Sequence, residues 1–309
     1  MSAQTEVLFD NALWAAGGAR LSVLIPFKGD DPVRLLQALG TIPAAAEVVV
    51  LDDGTGDAEL AARVEAAVAA LPHPARFVRL ARNEGRSKGR NRLVGHARGA
   101  WFLFLDSDML PDTPDFLVRW LELIEAENPA VAFGGFSLDQ LPPRREHALH
   151  RAMAVHSDCL PAEVRRRNPE KHVFTSNLLV RRDVFQTEAF DEAFSGWGWE
   201  DVEWGMRVAR RWPILHIDNT ATHLGLDTPG AMAAKYEQSA ANFARVVAAH
   251  PEVVSTYPSY RVARALKRAP LRGLWRPLLK AYAKADAAPL SSRAFAMRLY
   301  RAALYAEAV

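Results

Sequence analysis

Two pairs of carboxylates follow apolar runs in this sequence. Asp106 and Asp108 come directly after Trp-Phe-Leu-Phe-Leu, and Asp52 and Asp53 come directly after Val-Val-Val-Leu. Such apolar runs are typical of buried strands, and ionised carboxylates avoid a core unless they are paired or bind a metal. We therefore expect both pairs at the carboxyl edge of a sheet, where open α/β sheets bind ligands.

The two pairs suit different parts of a nucleotide. The oxygens of Asp106 and Asp108 suit a hard divalent cation such as Mn²⁺ or Mg²⁺, which can in turn hold phosphates. A carboxylate at Asp52 or Asp53 can accept hydrogen bonds from a base N–H or a ribose hydroxyl. Asp-Ser-Asp and Asp-Asp-Gly are also good turn sequences, so a solvated turn remains the alternative for each pair.

A third segment, Ser-Gly-Trp-Gly-Trp-Glu-Asp-Val-Glu, begins at Ser195. Trp197 and Trp199 offer flat apolar surfaces beside Glu200 and Asp201, and one of these acids could act as a base. Sugars present apolar C–H faces together with hydroxyls, so this mixture favours a sugar-like substrate. The alternative is an acidic first turn of a helix, which the helix dipole stabilises.

Two further features could support such a site. The segment from Asn83 to Asn91 carries three cations around two glycines and could direct Arg86 and Lys88 towards a phosphate or a base. His223 follows an apolar strand and could ligate a metal through its neutral imidazole. A solvated basic loop and a structural histidine are the respective alternatives.

An alternation of strands and helices must position these residues. Strands are predicted at 21–27, 47–51, 77–80, 101–105 and 130–136, with helical patterns between the first four and after the fourth. This order predicts an α/β fold with a mostly parallel sheet and helices on both faces.

The pattern changes in the second half of the chain. Residues 139–172 form an irregular or helical excursion of the kind that often carries substrate contacts. From Tyr257 onward, helical segments are interrupted by prolines at 270, 277 and 289. We divide the chain into an N-terminal extension (1–20), a catalytic domain (21–250) and a basic helical C-terminal extension (251–309).

Composition excludes several classes of protein and site. Cys159 is the only cysteine, so neither an intramolecular disulfide nor a Cys-based zinc site is possible. Neither the dinucleotide-binding glycine motif nor a P-loop is present. The first 20 residues do not resemble a signal peptide, and no uncharged apolar run reaches 18 residues. We therefore expect a cytoplasmic protein, with peripheral attachment to the inner face of the membrane as the possible variation.

Charge is distributed unevenly along the chain. Residues 257–309 hold 11 Lys or Arg and 2 Asp or Glu, a formal +9 in a chain whose total is +2. This asymmetry indicates an anionic partner for the basic segment. The hypothesis is docking on an anionic membrane surface, and the alternative is a set of helices packed on the catalytic domain with solvated basic faces. No nucleic-acid partner is expected, because the sheet edge already indicates a sugar nucleotide.

Seven motifs occur in the order found in nucleotide-sugar glycosyltransferases of the GT-A fold. The chain resembles the large inverting family 2, and its Gly-Trp-Gly-x-Glu-Asp segment resembles the galactosyl- and N-acetylgalactosaminyl-transferring branch. The resemblance covers roughly residues 20–228. The motifs are Ser22-Val-Leu-Ile-Pro26, Asp52-Asp-Gly54, the Asn83 to Asn91 segment, Asp106-Ser-Asp108, Thr175-Ser-Asn177, Phe190-Asp-Glu192 and Gly196-Trp-Gly-Trp-Glu-Asp201.

The resemblance implies a role at each matching position. Asp201 resembles the catalytic base, and Glu200 resembles a contact to the acceptor or donor sugar. Trp199 departs from the small residue common in the galactosyl branch, so the sugar pocket is expected to differ. Metal contacts are implied at Asp106, Asp108 and His223. Donor-binding contacts are expected at Pro26, Lys28, Asp52, Asp53, Arg86, Lys88, Asp106 and Trp197.

The sequence thus predicts a metal-dependent inverting glycosyltransferase using Mn²⁺ or Mg²⁺. It would move a hexose or N-acetylhexosamine from a nucleoside-diphosphate sugar, expected to be a UDP-sugar, to a hydroxyl of a glycan or lipid-linked acceptor. One alternative is a retaining transferase or a sugar nucleotidyltransferase on a similar fold. Another is a noncatalytic carbohydrate- or nucleotide-binding protein that uses the same sheet edge.

Overall fold

A computed structural model describes residues 6–16, 18–40 and 45–309 of the chain. Residues 1–5 and 17 of the predicted N-terminal extension lie outside this description. The strands of the described residues are β1 (Glu6–Asp10), β2 (Leu21–Phe27), β3 (Ala46–Asp52), β4 (Ala75–Leu80), β5 (Trp101–Leu105), β6 (Met109–Pro111), β7 (Val131–Phe133), β8 (Phe136–Ser137), β9 (Asn177–Arg181), β10 (Ile214–His216) and β11 (Ala221–His223).

Helices alternate with the strands and then fill the second half of the chain. Short 3-10 turns at Trp14–Ala16, Arg145–His147 and Pro169–His172 complete the secondary structure. The α-helices are α1 (Val33–Leu39), α2 (Ala58–Ala70), α3 (Arg86–His96), α4 (Phe116–Glu127), α5 (Ala148–Ala154), α6 (Ala162–Arg165), α7 (Arg182–Thr187), α8 (Glu200–Ala209), α9 (Pro229–Ala249), α10 (Pro251–Val254), α11 (Pro258–Lys267), α12 (Arg272–Lys284) and α13 (Leu290–Tyr305).

Eight strands form one sheet in the order β1-β4-β3-β2-β5-β9-β7-β10. Only β1 and β9 run antiparallel to their neighbours, so the predicted mostly parallel sheet is confirmed. Successive residues of β3 point to opposite faces of the sheet, and both faces are covered. Val48 and Val50 pack with α1 and α2 on one face, whereas Val49 and Leu51 pack with α3 and α8 on the other.

A second, three-stranded sheet in the order β6-β11-β8 was not predicted. Its strands have two or three residues, which is too short for a clear alternating pattern. In this sheet β11 pairs antiparallel with β6, so that His223 lies opposite Met109. The small sheet therefore brings His223 next to the residues that end the Asp106–Asp108 segment.

Three predictions about elements differ from the structure. The N-terminal extension contributes β1, which pairs with β4 at the edge of the main sheet. The predicted strand at 130–136 is two short strands, because Gly135 between them has φ +92°. Pro277 lies inside α12 instead of ending a helix. It removes one backbone hydrogen bond, and the residue that would accept that bond, Gly273, is exposed to water.

The C-terminal helices share a core with the second half of the catalytic domain. Helix α13 packs on α5, α9, α11 and α12. Met297 and Tyr300 of α13 are buried in one cluster with Phe243 and Val246 of α9 and Met206 of α8. No helix within the described residues is both long and apolar enough to span a bilayer.

Candidate active site

Asp52 and Asp53 lie at the carboxyl edge of the main sheet, where β3 ends, and both are buried. Asp52 accepts a hydrogen bond of 2.8 Å from the Thr55 backbone N–H, which closes the turn. Asp53 accepts hydrogen bonds from the backbone N–H groups of Glu84 (2.7 Å) and Gly85 (3.0 Å). The two predicted nucleotide contacts thus also stabilise two loops, the one that follows β3 and the one that precedes α3.

The two predicted donor contacts of the first strand lie at the same edge. Pro26 is half-buried near the end of β2, paired in register with Leu51 of β3. Lys28 is exposed just beyond β2. Burial raises the pKa of Asp53 above its usual value, against the hydrogen bonds from the Glu84 and Gly85 backbone and the charge of Lys28.

Asp106 is held at the end of β5 by two arginines and a serine. Arg90 Nη2 donates to Asp106 Oδ1 over 2.6 Å, and Ser176 Oγ donates to Oδ2 over 2.8 Å. Arg86 Nη2 lies 3.8 Å from Oδ2. Burial opposes ionisation, but Arg90, Arg86 and the hydrogen bonds outweigh it and lower the pKa of Asp106. Asp106 is therefore a carboxylate at neutral pH.

Arg86 connects the Asp106-Ser-Asp108 segment to the start of α8. Its Nε donates to Glu200 Oε1 over 2.5 Å while its Nη2 faces Asp106. Burial would lower the pKa of Arg86, but the charges of Glu200 and Asp106 raise it, so the guanidinium stays charged. Glu200 is buried, and its Oε2 has no hydrogen-bond partner among the described residues. Glu200 was predicted to contact a sugar, but its Oε1 already binds Arg86, so only Oε2 is available for that contact.

Lys88, the other predicted basic contact, is exposed. Two positions along a helix correspond to a rotation of about 200°, so Lys88 and Arg86 leave α3 in nearly opposite directions. Arg90, four positions after Arg86, returns to the same face and is buried against Asp106. Arg90, together with Arg86, therefore makes the ionic contacts with Asp106. The prediction for Lys88 gains no support from this geometry.

Asp201 lies half-buried in the first turn of α8, beside Glu200. Burial and the Glu200 charge raise the pKa of Asp201 to about 7, against the opposing charges of Arg86 and Arg90. Among the described residues, its Oδ1 accepts a hydrogen bond from the local Val202 N–H alone, at 2.8 Å. A carboxylate with a pKa near neutrality has the proton affinity that suits a general base.

The loop before α8, residues 195–199, is called the Trp loop below. Gly196, Gly198 and Trp199 all have positive φ, at 72°, 91° and 79°. Asn242 of α9 donates hydrogen bonds of 2.9 Å to the carbonyls of Ser195 and Gly198. The strained conformation of this loop is therefore stabilised by contacts from α9.

The two tryptophans of this loop lie in different surroundings. The Trp199 indole N–H donates to the Tyr305 hydroxyl of α13 over 3.0 Å, and its ring packs 4.9 Å from the ring of Phe243. The side chain that departs from the family pattern thus contributes to the helical core. Trp197 is half-buried, with its ring 6.2 Å from that of Tyr236 and 5.8 Å from Lys235 Nζ.

Asp108 and His223 form the third part of the site. His223 Nε2 lies 3.2 Å from Asp108 Oδ2. Burial favours the neutral ring, but the hydrogen bond and charge of Asp108 outweigh it and raise the pKa of His223. A Cβ atom on Gly225 would lie 1.9 Å from Asp108 Oδ2, so glycine leaves this side of the carboxylate open.

These residues fit a divalent cation that the substrate helps to bind. The described residues contain no cluster of three or more His, Cys, Asp and Glu side chains able to hold a metal by themselves. Mg²⁺ is usually held by one or two carboxylates together with substrate phosphates and water, and Asp108 offers such a carboxylate. His223 Nε2 lies beside it as a possible further ligand atom for Mn²⁺. Asp30 lies close enough to respond to this site: burial and the charge of Asp108 raise its pKa, against the charge of Lys235.

Sequence reasoning missed several residues near the site. Arg90 and Ser176 stand within motifs already singled out, but nothing in the motifs showed that both bind Asp106. Lys235 of α9 forms an ion pair of 2.7 Å with Asp227. Arg301 of α13 lies 5.2 Å from the ring of Tyr236, and no sequence signal placed that helix near the site.

Two asparagines of the family motifs connect structural elements, whereas other residues of the same motifs contact Asp106. Asn91 donates to the Phe190 carbonyl over 3.0 Å and accepts from the Phe190 N–H over 3.1 Å, which ties α3 to the segment before α8. Asn177 donates to the carbonyls of Gly135 and Asn219. These two amides, of which Asn177 is buried, hold together the strands and loops that carry the carboxylates.

Comparison with known proteins agrees with this architecture. The chain is 39% identical over 119 residues to the succinoglycan biosynthesis protein ExoO of Rhizobium meliloti (strain 1021). That alignment covers 37% of this chain and 32% of the relative, so this chain matches about a third of the relative's length.

Two solved structures have a similar fold. The mannosyltransferase PcManGT of Pyrobaculum calidifontis, solved with GDP-Man and Mn²⁺, matches with a TM-score of 0.58 and 15% identity, over 95% of this chain and 88% of that one. Residues 1–349 of TarS from S. aureus match with a TM-score of 0.50 and 16% identity, over 91% of each chain. At these identities the likeness concerns the fold alone, and it supports the predicted fold class.

The family assignment rests on the sequence itself. Residues 22–188 match the family described as Glycosyl transferase family 2, which confirms the predicted family, whereas the galactosyl branch stays a prediction. The matched segment contains both carboxylate pairs, Arg86 and Arg90. Because this match spans more than half of the chain, the protein belongs to glycosyl transferase family 2.

Proposed function

We propose that the protein is an inverting, divalent-metal-dependent glycosyltransferase. It moves a hexose or N-acetylhexosamine from a UDP-sugar to a hydroxyl of a glycan or lipid-linked acceptor. The family and the fold support sugar transfer from an activated donor. The observation that carries the proposal is Asp201, a half-buried carboxyl with a pKa of about 7, next to the Arg86 bridge between Glu200 and Asp106.

Donor binding is assigned to the sheet edge. Asp53 and Asp106 are fixed by hydrogen bonds in positions that suit the base and ribose. Arg86 is half-exposed between Asp106 and α8, where its positive charge favours the diphosphate. Trp197, beside Lys235, offers an apolar ring to one face of the donor sugar.

Asp108 and His223 would hold a Mn²⁺ or Mg²⁺ ion, with Gly225 keeping their open side free. When bound, such an ion neutralises negative charge on the diphosphate. Asp108 and His223 would supply the ligand atoms for this ion. In the metal-free protein, the contact of 3.2 Å between the two side chains holds them close together.

Transfer requires one displacement and one base. The acceptor oxygen forms a bond to the anomeric carbon, the bond from that carbon to the diphosphate oxygen breaks, and the nucleoside diphosphate leaves with the bonding electrons. Asp201 takes the proton of the acceptor hydroxyl. Inversion follows because the acceptor attacks opposite the leaving group, so no enzyme nucleophile is needed. Glu200 holds Arg86 in place through its 2.5 Å contact and so acts as a positioning residue.

A donor screen tests the proposal directly. The protein is incubated with Mn²⁺, an acceptor mixture and UDP-galactose, UDP-N-acetylgalactosamine, UDP-glucose or GDP-mannose, and release of the nucleoside diphosphate is measured. We expect release with at least one UDP-sugar, and an inverted anomeric configuration in the product. Release of pyrophosphate would indicate a nucleotidyltransferase, and a retained configuration would exclude the single displacement. Binding of a donor without turnover under any condition would favour the noncatalytic alternative.

A further inference from the structure

Helix α12 has an exposed apolar face that the fold does not use. Leu271, at its start, is 70% exposed, Leu274 is 66% exposed and Leu278 is 67% exposed. Tyr282 continues the row at 44%. Spacings of three and four residues place these side chains along one side of the helix. We call these four residues the α12 face.

The opposite side of α12 supplies the apolar contacts that pack this helix on the rest of the protein. Ala283 is buried, and Leu279 packs against the helical core shared by α9 and α13. A helix that covers a core needs one apolar stripe, with polar residues on its outer side. The α12 face is therefore a second stripe, turned towards the solvent.

Neighbouring residues enlarge this surface. The Tyr282 hydroxyl lies 2.9 Å from Ser292 Oγ of α13, and one turn further along α13 Phe295 is 62% exposed. Of the twelve large apolar side chains found exposed in the described residues, seven lie between Val262 and Phe295. Such a concentration indicates an interaction surface, because exposed apolar residues are normally scattered singly.

The C-terminal helices α11 to α13, one of which carries the α12 face, are strongly basic. Two cations of α12 are paired within the chain: Arg276 with Glu307, and Lys280 with Glu237. Others are exposed and have no carboxylate within 4.0 Å among the described residues, namely Arg261, Arg264, Arg268, Lys284 and Arg298. An exposed apolar helix face within a segment that carries unpaired cations is the combination that binds the interface of an anionic bilayer.

We propose that the α12 face docks on an anionic phospholipid surface, with its leucines entering the boundary between headgroups and acyl chains. A nucleic acid would bind the cations but would leave the leucines exposed to water. An apolar protein surface would cover the leucines but would leave the cations unpaired. An anionic membrane interacts with both, and this proposal does not depend on the transferase activity proposed above.

Vesicle cosedimentation tests this proposal with the full chain. Vesicles of phosphatidylcholine with phosphatidylglycerol are compared with vesicles of phosphatidylcholine alone, at low and at high salt. We expect binding to the anionic vesicles at low salt and about tenfold weaker binding at high salt, because salt screens surface charges. Absence of binding, or equal binding to the neutral vesicles, would overturn the proposal.

Substitutions then distinguish binding through the α12 face from nonspecific hydrophobic binding. Leu274→Gln with Leu278→Gln should weaken binding by roughly tenfold or more, since each change removes an apolar side chain that would enter the bilayer. The matched control is Val118→Gln with Val155→Gln, two exposed apolar residues elsewhere that should leave binding unchanged. Equal loss in both double variants would overturn the assignment.

Two further measurements test whether the substitutions change the stability or the oligomeric state of the protein. Thermal unfolding of both double variants should match that of the parent protein, because all four side chains are exposed. Size-exclusion chromatography should show the same apparent mass for the parent and the Leu274/Leu278 variant. A dimer that this variant dissociates, without vesicle binding, would assign the α12 face to a second copy of the chain and overturn the membrane assignment.

Discussion

Asp201→Asn is the change that most directly tests the proposed chemistry. The amide preserves the size and shape of the carboxylate but cannot take the proton of an acceptor hydroxyl. General-base assistance typically contributes about 10²–10⁴-fold, so we expect kcat to fall by that factor. Donor binding should be largely kept, because the donor contacts are assigned to other side chains.

The pH dependence provides a second measure of the same group. With a pKa of about 7 for Asp201, about half of the molecules hold an ionised carboxylate at pH 7 and about a tenth at pH 6. The rate of transfer should therefore rise about fivefold between pH 6 and pH 7, rise about tenfold per pH unit below pH 6, and level off above pH 8. The Asn variant should lose this rise while keeping its residual activity.

Stability should change in the opposite direction from activity. The folded protein holds the Asp201 proton more tightly than the unfolded chain does, so ionisation costs stability. The cost is fully present above the folded pKa and disappears as the pH falls towards the unfolded value near 4. Asp201→Asn removes it and should raise the free energy of unfolding by about 1–3 kcal/mol at pH 8, with a smaller gain at pH 5.

Three assays check these expectations on one preparation: nucleoside-diphosphate release across pH, donor titration and urea unfolding at two pH values. Asp191→Asn is a suitable control, because Asp191 is exposed before α8 and makes only a local hydrogen bond to the Ala193 N–H. Normal turnover by the Asp201 variant would refute the assignment. Loss of donor affinity with an unchanged rate at saturation would assign the residue to binding instead.

Other perturbations test the surrounding contacts. Gly225→Ala places a methyl carbon 1.9 Å from Asp108 Oδ2, so we expect about 10²-fold lower activity and a higher Mn²⁺ requirement, with an unchanged melting temperature. Arg90→Gln leaves Asp106 without its shortest ion pair and should lower the free energy of unfolding by about 2–4 kcal/mol in urea titrations. Tyr305→Phe removes the hydroxyl that accepts the indole N–H of Trp199. We expect this change to lower the free energy of unfolding by about 1 kcal/mol and to reduce kcat. An effect on stability alone would contradict a role of this contact in positioning the Trp loop. Excess EDTA should abolish nucleoside-diphosphate release and added Mn²⁺ should restore it, and full activity in EDTA would contradict the metal proposal.

The main sheet could be predicted because its strands are defined by local sequence. The strands at 21–27 and 101–105 were predicted with the bounds that the structure has, since each is a continuous apolar run that ends near proline or aspartate. In contrast, β1 lies at the sheet edge with several exposed residues, and β11 has three residues. Their pairing partners are distant in sequence, so tertiary contacts decide their conformation.

The same distinction holds for the candidate site. Acids that end strands could be placed at one edge of the sheet from their sequence positions alone. The charges around them could not be assigned, because Arg90 reaches Asp106 across 16 residues and Ser176 reaches it across 70. Trp199 shows the limit most clearly: its departure from the family pattern suggested a changed sugar pocket, but its N–H bonds to Tyr305 in the helical core.

The contact between Trp199 and Tyr305 also orders events during synthesis. The two residues are separated by 106 positions, and the chain emerges from its N-terminal side first. A nascent chain that has not yet reached α13 can already form the parallel strands that carry Asp53 and Asp106, while its Trp loop still lacks the hydroxyl that holds the indole. We expect such a chain to assemble the acids of the sheet edge before the Trp loop is held in place, so that Asp201, the proposed base, is positioned last.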